Sequence, residues 1–268
     1  MFKNPLLEEW SAGRATLNGW LASPCMSTAE VMAHAGWDSL TIDMQHGLAD
    51  YQTAVEMLTA IATTDVVPLA RVPWMDEGIV MRMLDAGCLG VICPMVNSQD
   101  EAARLATACR YPPNGRRSYG PIRAALLSGS DYWRHANREV LSIAMIETRE
   151  ALDALDSILD VEELSGIYIG PADLSLALGC EPTFDQEAPI VEDAIEHIIT
   201  TTKARGKYVG VHNLTPAYAR RRAEIGADFV SVSSDLRLMS AAAKAAVAEF
   251  HGHGPKHSPP PDDSAASY

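Results

Sequence analysis

The chain predicts a (β/α)8 barrel, and three features of its sequence carry that expectation. Apolar runs of β-type residues alternate with helix-patterned stretches eight times, in roughly 230 residues. The helix-to-strand turns are short, G-A-D at 226–228 or A-G-W-D at 35–38, which implies parallel wiring. A chain of 268 residues with 47% hydrophobic content can also bury a full core. A doubly wound open sheet would place a glycine-rich phosphate turn after its first strand, and NGWLASPCMS (18–27) offers none.

In order, strand-like NGWLAS (18–23) precedes helical STAEVMAHAG (27–36), and WDSLTIDM (37–44) precedes DYQTAVEMLTAIA (50–62). VVPLARV (66–72) leads to DEGIVMRMLDAG (76–87), and LGVICPMV (89–96) to SQDEAARLATAC (98–109). LSIAMIET (141–148) is followed by REALDALDSIL, and GIYIG (166–170) by LSLALG. A long helix around EDAIEHIITTTKARG leads into YVGVH (208–212) and TPAYARRRAEIG, and DFVSVS (228–233) into an alanine-rich helix ending near Phe250. The connection from Tyr111 to Glu139 exceeds a plain barrel turn, holds a helix, and reads as a lid or a subunit contact. One barrel domain spans 1–250, and the proline- and serine-rich 251–268 reads as a disordered tail.

Composition narrows the function. A net charge of −14 argues against nucleic acid or an anionic membrane as partner, and Arg220–Arg222 reads as the solvated face of a helix. Five cysteines without a CxxC pair fit reduced cytosolic thiols, and the N-terminus lacks a signal-peptide core, so the expected location is the cytoplasm.

Catalytic residues of such a barrel sit where strands end and helices begin. The polar residues there are Asp43, Gln45, His46, Arg71, Glu147, Asp173 and His212. Each has a plain structural explanation: Asp43 and Asp173 as turn or helix caps, His46 as a loop histidine, Arg71 as partner of a helix carboxylate. Together they form a set. Glu147 and Asp173, on neighbouring strand ends, are half of an oxygen-rich divalent-metal site; with a titratable base and a fixed cation they suit proton abstraction next to a carbonyl.

The motifs DMQHG (43–47), RVPW (71–74), LDAGCLGVICPMV (84–96), YPPNGRR (111–117), MIET (145–148) and IGPADLS (169–175) resemble the HpcH/HpaI aldolase family, over about residues 15 to 250. These are class II pyruvate aldolases of the 4-hydroxy-2-oxoheptanedioate aldolase type, on barrels of the phosphoenolpyruvate/pyruvate superfamily. The resemblance implies that Glu147 and Asp173 hold Mg²⁺, Mn²⁺ or Co²⁺, and that His46 is the general base, through a metal-bound water. It implies that Asp85 pairs with His46 and raises its basicity, that Arg71 binds the keto oxygen, and that the N–H groups of Ala172 and Asp173 receive the substrate carboxylate. It further implies pyruvate and an aldehyde as substrates, and a hexamer built from two trimers that exchanges the last helix. The chain departs from the family pattern at Met145, at Arg117-Ser118 and at His212, where an apolar residue is usual. Two other readings are a CoA-thioester lyase using Arg116 and Arg117 for the phosphates, and a catalytically silent binding barrel.

Overall fold

Strands buried on both faces need apolar residues at consecutive positions rather than alternate ones, and the sequence supplies such runs eight times. In the computed structural model, which describes residues 3–252, they close into a parallel barrel in sequential order. The strands are β1 (Thr16–Leu21), β2 (Ser39–Asp43), β3 (Val67–Arg71), β4 (Gly90–Cys93), β5 (Leu141–Ile146), β6 (Gly166–Ile169), β7 (Tyr208–Asn213) and β8 (Phe229–Val232). β8 pairs with β1 through Thr16 opposite Phe229, so no strand edge is left open.

The helices are α1 (Pro5–Ser11), α2 (Met26–Ala33), α3 (Tyr51–Ile61), α4 (Glu77–Asp85), α5 (Gln99–Cys109), α6 (Ile122–Ser128), α7 (Tyr132–Glu139), α8 (Arg149–Asp153), α9 (Leu155–Leu159), α10 (Pro171–Ala177), α11 (Pro189–Ala204), α12 (Pro216–Ile225) and α13 (Asp235–His251). Polar caps mark several starts: Asp50 accepts from Thr53 N–H at 2.8 Å, Asp76 from Ile79 at 3.0 Å and Thr148 from Ala151 at 3.0 Å. REALDALDSIL breaks at Ala154 into α8 and α9. Among the described residues, no helix is long and apolar enough to cross a membrane. All but the first two residues of the tail expected from His251 lie outside the described residues.

Two apolar layers result. One lies between strands and helices; the other fills the barrel with Trp20, Leu69, Ile92, Ile143, Met145, Tyr168 and Phe229. α1, which has no strand partner in the eight-unit pattern, plugs the lower end of this inner layer with Leu6 and Trp10. Trp10 stacks on Phe229 at 5.1 Å and donates its indole N–H to Thr16 Oγ1 at 2.9 Å. Gly210 makes room for the Phe229 ring, since a Cβ there would lie 2.3 Å from it.

Topology also sets which end each connection occupies. Segment 110–140 follows α5 and precedes β5, so it lies at the N-terminal end of the strands, away from their C-terminal mouth. It is therefore not a lid over its own barrel. Arg117 in it is buried, donating to Asp85 at 2.7 Å and to the Tyr132 hydroxyl at 3.1 Å. Arg222 likewise departs from the solvated face expected of Arg220–Arg222: it is buried, bonded to Glu192 and stacked on Tyr218 at 4.3 Å.

Removing the plug should be costly. Trp10→Ala leaves a cavity against Phe229 and removes the donor to the Thr16 hydroxyl, and should destabilise the barrel by about 3–5 kcal/mol in urea unfolding. A change below about 1 kcal/mol would show that α1 is not part of the core.

Candidate active site

The C-terminal mouth of the barrel opens into a cavity of about 830 Å³ whose wall includes Trp20, Asp43, His46, Arg71, Asp173 and His212. Its floor begins with an ion pair. Asp43 and Arg71 stand opposite one another in the β2–β3 register, and Arg71 Nε and Nη2 reach Asp43 Oδ1 and Oδ2 at 2.9 and 2.7 Å. Asp43 also accepts from the Trp20 indole at 3.2 Å and from the backbone N–H groups of Gln45 and His46 at 3.1 and 3.3 Å. Burial alone would raise its pKa, but the charge and hydrogen bonds of Arg71 outweigh that and hold it below the usual carboxylate range. The expected turn cap is thus present, and the same carboxylate anchors Arg71.

Glu147 follows β5 and is 2% exposed. Its Oε1 accepts from the N–H of Met95 at 2.8 Å, and Met95 sits at φ 55°, a strained conformation for a side chain of its size. Gly170 lies against the other oxygen, where a Cβ would stand 2.6 Å from Oε2. Asp173, half-buried, lies in the first turn of α10 without capping it, because Gly170 is the cap residue and no side chain bonds there. That first turn leaves the N–H groups of Ala172 and Asp173 without an intrahelical acceptor. Burial first, and the neighbouring negative charge of Asp173 as well, push the Glu147 pKa up to about 7 against the pull of the Met95 N–H and Arg71.

A divalent cation between Glu147 and Asp173 would relieve this excess of negative charge, and two carboxylates with the remaining positions left to water and substrate oxygens suit a hard ion. No group of three or more His, Cys, Asp or Glu side chains able to hold a metal occurs among the described residues.

His46 is exposed at the mouth. Its pKa is lowered from 6.5, first by partial burial of the ring and then by Arg71, against the opposing pull of Asp43 and Asp173. An upward shift through Asp85 was expected; Asp85 instead closes α4 at the opposite end of the barrel, where it binds Arg117. A helix that returns antiparallel to the strands ends away from the mouth, so Asp85 does not meet the His46 of its own chain. Arg117, sealed against Tyr111 and Tyr132, is not available to a phosphate. Met145 lines the cavity, and so does Lys244 from α13.

Residue-by-residue reading missed Trp20, Tyr168 and Phe184. Trp20 and Tyr168 stack at 5.6 Å, Phe184 lies 4.9 Å from His212, and the guanidinium of Arg71 lies 4.9 Å over Trp20. Trp20 and Tyr168 lie within predicted strands but carry no local signal that they line a cavity. Phe184 reaches it only because Asp185 ties its loop to Leu214 N–H at 2.7 Å and to Thr215 Oγ1 at 2.6 Å.

The model of the HpcH/HpaI aldolase/citrate lyase family matches residues 17–242. A hydroxypyruvate/pyruvate aldolase from Rhizorhabdus wittichii is 42% identical over 240 residues, covering 90% of this chain and 96% of the relative. A 4-hydroxy-2-oxo-heptane-1,7-dioate aldolase from Salmonella dublin is 38% identical over 251 residues, covering 92% and 95%. Among solved structures, an HpcH/HpaI aldolase/citrate lyase family protein from Burkholderia cenocepacia superposes with a TM-score of 0.85 at 31% identity, over 93% of this chain and 100% of that one.

The raised Glu147 pKa predicts a pH signature in metal-free protein. An unfolded Glu ionises near 4.5 and the folded one only near 7, so stability contributed by the protonated form is lost as pH rises through that window. In EDTA, Glu147→Gln should exceed the wild type in urea unfolding at about pH 8, by up to about 3 kcal/mol, and lose most of that advantage by about pH 5. An equal gap at both pH values would contradict the assignment.

Proposed function

The chain belongs to the HpcH/HpaI aldolase/citrate lyase family and is a carbon–carbon lyase, and from that premise we propose a divalent-metal-dependent class II aldolase that joins pyruvate, or a close 2-oxoacid, to an aldehyde and reverses the reaction. The observation that carries this reading is the buried, under-compensated Glu147 beside Asp173, within the field of a rigidly held Arg71. Glu147 and Asp173 would hold Mg²⁺, Mn²⁺ or Co²⁺, which supplies Lewis-acid stabilisation of enolate charge.

The chain's own residues supply the rest. Arg71, pre-positioned by Asp43, places a permanent charge at the keto oxygen, where negative charge grows as the methyl proton leaves. The free N–H groups of Ala172 and Asp173 receive the pyruvate carboxylate at the start of α10. His46, held neutral at pH 7 by its lowered pKa, accepts the methyl proton as the enolate forms and returns one when the aldol is cleaved. Apolar walls at Trp20 and Phe184 limit water around the nucleophilic carbon.

Asp85 retains a place in this reading only if the active unit is an oligomer, since within its own chain it binds Arg117 at the far end of the barrel. A hexamer of two trimers supplies contacts between chains, and exposed Ile122, Leu126, Met239 and Phe250 give α6 and α13 apolar surface for them. A reducing cytoplasm suits five free cysteines, of which Cys88, Cys93 and Cys109 are buried. The CoA-thioester alternative loses support with Arg117 sealed away from the mouth.

The reading is tested by pyruvate release from 4-hydroxy-2-oxoacids with and without EDTA. EDTA should abolish release, and Glu147→Gln or Asp173→Asn should lower kcat/KM by roughly 10²-fold or more while the far-ultraviolet dichroism is kept. Full activity of Glu147→Gln in chelator sinks the metal assignment. Borohydride with pyruvate should trap no adduct, because Lys244 is the one lysine on the cavity wall among the described residues and it lies on α13, off the strand ends.

Rising pH converts His46 to its active base form, so kcat/KM should climb through a pKa below 6.5. His46→Ala should lose that limb together with deuterium exchange into the pyruvate methyl group. Unchanged exchange in that variant rules His46 out as the base.

A further inference from the structure

His212 of β7 lines the cavity from a seat among aromatic rings: Trp20 meets it edge-on at 4.8 Å, Phe184 lies at 4.9 Å, and the Tyr168 hydroxyl bonds its Nδ1 at 3.0 Å. Burial, with Arg71 adding to it, pushes its pKa down to about 3, so the ring is neutral near pH 7 and carries one proton.

A chain of hydrogen bonds through the barrel leads to the Nδ1 side of that ring. The side-chain oxygen of Asn18 accepts from Ser39 Oγ at 2.9 Å and from Thr41 Oγ1 at 3.0 Å, which leaves its NH₂ to donate to Ser231 Oγ at 2.9 Å. Ser231 Oγ lies 2.6 Å from the Tyr168 oxygen, where either hydroxyl can donate; with Ser231 already accepting from Asn18, we assign the donor role to Ser231. In that arrangement the Tyr168 proton is left for His212 Nδ1. With Nδ1 an acceptor, the proton sits on Nε2, which has no protein partner among the described residues.

We propose that the Nε2–H of His212 is a hydrogen-bond donor to an uncharged oxygen of the acceptor aldehyde, a specificity determinant whose tautomer is fixed by Tyr168, Ser231 and Asn18. This rests on the aldolase reading. The donor itself is uncharged and Trp20, Phe184 and Leu214 beside it are apolar, while the cations of the same cavity, Arg71, Arg237 and Lys244, stand on other parts of its wall and are left to the charged groups of the substrate. An acceptor that brings no oxygen to it leaves a dehydrated N–H unpaired, which is where discrimination arises. Tyr168 touches no substrate in this scheme; it is a positioning residue.

Nitrogen NMR of ¹⁵N-histidine-labelled wild-type protein reads the tautomer directly. The His212 signal should report protonated Nε2 and bare Nδ1 from about pH 5 to 8, and Tyr168→Phe should move it toward a tautomer mixture. A cationic ring, or a proton on Nδ1, overturns the proposal, whether or not any variant folds.

Kinetics of His212→Phe then locate the oxygen, using glycolaldehyde and propanal, which differ by a hydroxyl in place of a methyl. A fall of roughly 10-fold in kcat/KM for glycolaldehyde alone assigns the donor to the hydroxyl. A similar fall for both, with deuterium exchange into pyruvate retained, assigns it to the aldehyde carbonyl. Values within about twofold of wild type for both acceptors, or loss of exchange alongside both, overturn the proposal. Absence of exchange in the wild type is a separate failure, that of the aldolase reading, and the NMR result stands apart from it.

Discussion

The buried pair of Asp43 and Arg71 is the constraint on which the mouth of the barrel depends. Two charges removed from water cost several kcal/mol each unless they meet in good geometry, and the β2–β3 register delivers that geometry by setting the two residues opposite each other. The pair is bidentate and further satisfied by Trp20, Gln45 and His46, so it is rigid. Its consequence lies next door. Two of the five N–H donors of Arg71 go to Asp43, and the charge of Arg71 pulls the Glu147 pKa down without offsetting the effect of burial and of Asp173. A fixed cation on one side and a carboxylate pair on the other are the features on which the proposed divalent ion and anionic substrate rest.

The interior below the mouth explains how such polar groups are tolerated. Trp10, Trp20, Tyr168 and Phe229 form a stacked aromatic column through the barrel, and α1 closes its lower end. Aromatic rings bring large apolar area and, in Trp and Tyr, one polar handle each. Here those handles are all used, at Thr16, Asp43, Ser231 and His212. The polar network of Asn18, Ser39, Thr41 and Ser231 is therefore satisfied inside the barrel rather than hydrated.

The two ends of the barrel divide the work. Residues after strands face the cavity; residues after helices, including Asp85, Arg110 and Arg117, tie loops together at the other end. Arg110, for example, binds Glu163 and Ser165 there. A charged residue is thus assigned to chemistry or to architecture by which kind of connection it occupies, and Asp85 lies on the architectural side of its own chain.

Much of this was legible in the sequence, because hydrophobic runs and short turns are local signals. The eight strands, their parallel closure and the rim positions of His46, Arg71, Glu147 and Asp173 all follow from where an apolar run stops and a helix begins. Other features depended on distant segments meeting. The partner of Arg71 is 28 residues away, the rings around His212 come from β1, β6 and the loop before α11, and the carboxylate that pairs with buried Arg222 is Glu192 of α11. The register between strands also decides charge state, since burial and neighbouring charge, not residue type, place Glu147 near 7 and His212 near 3. The sequence by itself determined which polar side chains stand at the strand ends of the mouth; the tertiary structure decided which aromatic rings join them and which groups are dry, paired or left to a ligand, because desolvation and Coulomb energy depend on distances that no local pattern encodes.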